Sequence, residues 1–168
     1  MTRAQLPALG YLYVALALPA VLLGLGHGEA VSALFTVAAF AYFWFIASLR
    51  ARVVRFDPDG FFASVVVMGG ATFITLQAAA VLYGQSHLAA PSSAAAAAVI
   101  VGSSLAAWRA RKIPKWFGQA GIAGGLAVLA VGVVEGAAGW TFAGHTVFAS
   151  SLGFMVWVVV TATYLLRH

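Results

Sequence analysis

The chain has 168 residues, 63% of them hydrophobic and 8% charged, with a mean hydropathy of +0.99 and a net charge of +5. Soluble domains are nearer half apolar and a quarter charged, so this balance points to a membrane protein without a sizeable extramembrane domain. The absence of cysteine excludes disulfides, thiolate zinc sites, iron–sulfur clusters and cysteine nucleophiles.

A helix needs about 20 apolar residues to cross a hydrocarbon core about 30 Å thick. Six such runs fit into one transmembrane domain over 1–168, at about 6–25, 31–49, 61–83, 93–108, 116–134 and 142–166. The runs are continuous rather than alternating, which excludes a transmembrane β-barrel. Short connections make neighbouring helices antiparallel, so the expected fold is all-α, a six-span helix bundle.

The first run follows Arg3 and superficially resembles a signal peptide. It is longer than a typical h-region, and no A-x-A site follows it before the second span, so it reads as a retained helix. Pro19 within it removes one helical hydrogen bond and marks a candidate kink. The second span ends at Ser48-Leu49-Arg50-Ala51-Arg52. The following Asp57-Pro58-Asp59-Gly60 lacks the later ligands of a calcium loop and reads as a turn before an Asp-capped helix.

The third span carries Gly69-Gly70-Ala71, then Thr72, Thr75 and Gln77. With Ser103 on the fourth span and Ser150 on the sixth, these form a candidate polar path for a small solute. The competing reading is that such hydroxyls bond carbonyls one turn back. The fourth span opens with Ala94 through Ala98, and the fifth carries Gly118, Gly121, Gly125, Gly132 and Gly136. Small residues at this spacing let helices approach closely, within the chain or between two copies. Ala107-Trp108-Arg109-Ala110-Arg111 before Gly124-Gly125 also echoes the Arg50–Gly70 hairpin, as a duplicated hairpin would.

With six spans, all nine Lys and Arg residues and both termini fall on one side, which the positive-inside rule makes cytoplasmic. Trp108, Trp116 and Tyr164 then mark the inner interface, and Tyr83 and Trp140 the outer one. Basic residues that flank spans in short runs are topology signals and lipid-headgroup contacts, so nucleic acid is not an expected partner.

The remaining ionisable groups gather at the opposite rim: His27, Glu29, His87, Glu135 and His145. Imidazoles with carboxylates suit a transition metal such as zinc, copper, iron or nickel, and His27 with His145 suits the axial positions of a b-type haem. The competing reading is solvated interfacial histidines, because no metal-ligand spacing such as H-E-x-x-H occurs. Hydrolase templates fail: both aspartates lie on the opposite side from these histidines, and no G-x-S-x-G elbow exists. Proton pumps and ion-coupled carriers usually keep a charge near the midplane; Glu135 is the deepest here, near the outer end of its helix.

Several stretches together resemble a broad bacterial group of six-helix membrane proteins that is abundant in actinobacteria. They are Phe45-Ile46-Ala47-Ser48-Leu49-Arg50-Ala51-Arg52, Asp59-Gly60, Gly69-Gly70-Ala71 and Arg111-Lys112-Ile113-Pro114-Lys115-Trp116-Phe117-Gly118 with Gly121. Trp157 and the Tyr164-Leu165-Leu166-Arg167 end complete the likeness. The group has no activity to transfer, so the resemblance implies architecture only. The expected role is that of an accessory, packing or regulatory subunit of the bacterial inner membrane, in contact with lipid and with a second copy or a partner subunit.

Overall fold

The computed structural model describes residues 5–22, 29–83, 88–111, 113–138 and 149–167. They form α1 (Leu9–Leu22), entered through a 3-10 turn at Leu6–Ala8, then α2 (Glu29–Val53), α3 (Phe61–Tyr83), α4 (Ala89–Arg109), α5 (Lys115–Ala138) and α6 (Ala149–Arg167). No strand occurs among the described residues. Five helices, α2 to α6, are long and apolar enough to cross a membrane, and α1 is a shorter apolar helix. The chain has the build of a multi-pass membrane protein.

Several boundaries differ from those read in the sequence. Helix α2 continues beyond residue 49 through Arg50 and Arg52 to Val53. Helix α4 begins at Ala89 rather than 93, because Pro91 falls in the first turn, where its missing N–H has no partner to lose. Pro19 lies inside α1, which continues past it to Leu22. Residues 142–148 of the sixth run lie outside the described residues.

Each helix packs on its neighbours in chain order, and α6 returns to α1, which closes the ring; α4 also reaches α6 across it. Helix α2 shows how its faces divide. Phe35, Ala38, Tyr42, Phe45 and Leu49 recur at helical spacing and are buried, whereas Val37, Phe40 and Trp44 are exposed on the outer face. An apolar outer face is expected where lipid is the solvent. The centre is aromatic: Phe73 on α3 and Phe154 on α6 lie 4.4 Å apart between ring centroids, and Tyr42 lies 5.8 and 6.1 Å from them. Tyr13 of α1 completes the group at 4.9 Å from Tyr42.

Side-chain contacts tie the basic helix ends together. Arg52 at the end of α2 donates to the Leu165 carbonyl near the end of α6 at 3.0 Å. Arg109 lies 5.2 Å above the Phe62 ring, which joins the end of α4 to the start of α3. Phe117 at the start of α5 stacks on Tyr164 at 5.7 Å. Arg50, Arg52, Arg55, Arg109, Arg111, Lys115 and Arg167 therefore share one end of the bundle.

Two turns at that end explain how helices stop and start. Gly60 has φ +70°, a left-handed conformation that a Cβ disfavours even though nothing lies within 4 Å of it. This turn brings the Asp57 carboxylate back to accept from the N–H groups of Phe62 and Ala63 at 2.6 and 3.2 Å. The acid that caps α3 is thus Asp57, while Asp59 is exposed. Helix α4 closes with Arg111 at φ 54°, its N–H donating to the Trp108 carbonyl at 3.0 Å.

Candidate functional site

The proposed rim cluster divides sharply. His27, His87 and His145 lie outside the described residues, and of Glu29 only the backbone, at the start of α2, is described. Glu135 is buried, at 4% exposure, near the end of α5. Its carboxylate accepts from the Ala149 N–H, from the Ser150 N–H at 3.4 Å and from the Ser150 hydroxyl at 2.7 Å. Those donors belong to the first turn of α6, where backbone N–H groups lack intrahelical partners and the helix dipole favours an anion. Glu135 is a tertiary cap, supplied by α5 to the start of α6.

The residues of the candidate polar path do not meet on one surface. Thr72 and Thr75 are exposed on the outer face of α3, and the Thr75 hydroxyl donates to the Ala71 carbonyl at 2.9 Å. Gln77 points the other way and is fully buried; its Oε1 accepts from the Ser92 hydroxyl at 3.1 Å. Ser103 donates back to Val99 and Ile100 carbonyls at 2.7 and 3.1 Å. Ser150 is committed to Glu135. At 100° per residue, Gln77 lies on roughly the opposite side of α3 from Thr75, so the sequence interval alone separates them.

Four glycines of α5 face α4. A Cβ at Gly118 would lie 2.9 Å from the Trp108 side chain, at Gly125 2.7 Å from Val101, and at Gly136 3.0 Å from the Ala90 Cβ. At Gly121 it would collide with the Ser104 hydroxyl. Gly132 is buried in the same helix. Within the chain, this stripe packs against α4.

Three polar atoms remain unpaired in the interior: the hydroxyls of Tyr13 and Tyr42 and the Nε2 of Gln77 have no hydrogen-bond partner among the described residues. Unsatisfied buried polar atoms are costly, and each marks a place where a polar guest or a water has something to bond.

The most developed site lies at the basic end. A cavity of about 490 Å³ opens between α2, α4, α5 and α6, walled by Arg52, Arg55, Phe56, Phe117, Trp157 and Tyr164 among others. Ser103, Ser104 and Thr161 add hydroxyls to its lining. One Arg52 N–H is fixed on Leu165, which leaves further guanidinium donors for a ligand. The Arg55 side chain makes no hydrogen bond or ion pair among the described residues. A second space of about 510 Å³ runs between α5 and α6 over α4, and shares Ser104, Phe117 and Trp157 with the first.

The sequence marks these arginines as topology signals and lipid-headgroup contacts, not as walls of a cavity. A sharper signal was present: Arg52 follows the buried Phe45 and Leu49 at helical spacing, so it belongs to the inward face of α2. Compared with protein-family models, with characterised proteins and with solved structures, the chain matches none.

Proposed function

We propose that the chain is a six-span accessory protein of the bacterial cytoplasmic membrane that acts by binding rather than by bond-making chemistry. In this reading both termini and the basic end face the cytoplasm, and the expected likeness to the actinobacterial six-helix group describes its architecture. The observation that carries it is the contrast between its polar interior and its spaces. Glu135 and Ser150 are committed to holding α5 on α6 and Ser103 bonds its own helix, while the open volume is walled mostly by aromatic and apolar side chains with arginines at one end. Helix α5 supports association, because only 22% of its span is buried within the chain, against 61% for α4.

The partner is a second copy or another membrane subunit. Native mass spectrometry from a mild detergent tests this: a retained oligomer or partner complex is expected, and a strictly monomeric particle overturns it. The reading of a metal or haem site now lacks Glu135 as a free ligand and rests on His27, Glu29, His87 and His145. The reading of a solute path lacks a continuous lining, since Thr72 and Thr75 face outward.

A further inference from the structure

We propose that the arginine-walled cavity and the α5–α6 groove together form one binding site for a single anionic phospholipid. Its phosphate would sit between Arg52 and Arg55 and one acyl chain would lie in the groove. The inference rests on the membrane-spanning reading but not on the oligomeric one.

Charge is the first argument. Guanidinium groups hold phosphate through paired N–H bonds, and the Leu165 carbonyl already orients Arg52. Arg55 presents its full set of donors, and the nearby Asp57 carboxylate is committed to the start of α3. The cavity therefore offers positive charge at the level where lipid headgroups lie, beside Lys115 and the exposed Trp116 that anchor the start of α5.

Continuity is the second. Phe117, Trp157 and Ser104 line both spaces, so the headgroup cavity and the groove adjoin at these side chains. The groove floor is Ile100 and Val128, and its rims, Val131, Val156 and Val160, are exposed and apolar. A chain enters sideways from the bilayer rather than by threading through the bundle.

Length is the third. From Phe117 to Val131 the groove follows α5 for about 20 Å at 1.5 Å per residue. That exceeds the roughly 15 Å of one leaflet's hydrocarbon. Gly124 keeps the α5 wall low along this path, since nothing lies within 4 Å of a Cβ built there.

The test is native mass spectrometry of the full chain in mild detergent supplemented with dioleoyl phosphatidylglycerol or, at equal concentration, dioleoyl phosphatidylcholine. One retained phosphatidylglycerol per chain is expected, with at least tenfold lower retention of the zwitterionic lipid. Equal retention of the two overturns the proposal. Arg55→Gln, at an exposed position outside every helix, should reduce retention several-fold without affecting folding, and the Arg52→Gln, Arg55→Gln pair should abolish it. Unchanged retention in both variants overturns the headgroup assignment.

Val160→Trp, which fills the groove from its rim, should weaken the long-chain lipid and leave a dihexanoyl analogue unaffected. Glycerophosphate, the headgroup chemistry without chains, should fail to compete. Effective competition would show a free-anion site and contradict the role of the groove. Protein stoichiometry and bound lipid mass are separate readings in one spectrum, so failure of the association proposal is distinguishable from failure of this one.

Discussion

Replacing Glu135 with alanine should destabilise the protein more than any other single change at a polar side chain of the bundle. The carboxylate meets the first turn of α6 through two backbone N–H groups and the Ser150 hydroxyl. Loss of a helix cap costs about 1–2 kcal/mol. Loss of the negative charge at the helix N-terminus adds about 0.5–1 kcal/mol in a buried setting. The sum, roughly 1.5–3 kcal/mol, corresponds to a fall in melting temperature of about 3–12 °C for a chain of this size. Glu135→Gln keeps one acceptor oxygen but no charge, and should cost about 1 kcal/mol.

The assay is thermal unfolding in mild detergent, followed by circular dichroism, across a double-mutant cycle with Ser150→Ala. Alone, Ser150→Ala removes one bond and should cost about 1 kcal/mol. In the Glu135→Ala background it should cost almost nothing, because its partner is gone, giving a coupling of about 1 kcal/mol. Melting of Glu135→Ala within 1–2 °C of the wild type, or strict additivity of the two changes, would refute the cap.

Three further outcomes follow from the same geometry. Gly125→Val should destabilise by about 1–3 kcal/mol through overpacking against Val101, whereas Gly124→Ala, facing open space, should raise stability by about 0.5–1 kcal/mol; both are read by thermal melting. Asp57→Ala should cost about 1–2 kcal/mol by uncapping α3, while Asp59→Ala leaves the melting temperature unchanged. Thr75→Val should alter neither stability by more than about 0.5 kcal/mol nor liposome flux of small neutral solutes, because its hydroxyl serves only its own helix.

How much of this was legible in the sequence depends on what each feature needs. The helices were visible as apolar runs, and their basic ends were marked by Arg50, Arg52, Arg109 and Arg111. Facing was not. Where the solvent is lipid, both sides of a helix are apolar, so Phe40 outside and Tyr42 inside look equally hydrophobic. The small-residue spacing did single out the α5 stripe, but only tertiary contact distinguishes Gly125, wedged against Val101, from Gly124 beside open space.

Tertiary bonds were the least legible. Glu135 looked like a free rim carboxylate because its partners lie beyond a connection, on the next helix. Gln77 looked like part of a path on α3, yet its amide bonds Ser92 on α4. Arginines near helix ends have a sufficient explanation in membrane topology, and that explanation hid the inward register of Arg52.

In the proposed orientation, the basic end of the membrane bundle, with both termini, lies inside the cell. A chain without cysteine allows single-cysteine labelling without background, which makes the direct measurement simple. Thr2→Cys, Asp59→Cys and Ser86→Cys would each be exposed to a membrane-impermeant maleimide in intact and then permeabilised cells. That orientation predicts labelling of Ser86→Cys in intact cells, and of Thr2→Cys and Asp59→Cys only after permeabilisation. Labelling of Asp59→Cys in intact cells would invert the bundle, and labelling of Thr2→Cys would remove α1 from the spans; either contradicts it.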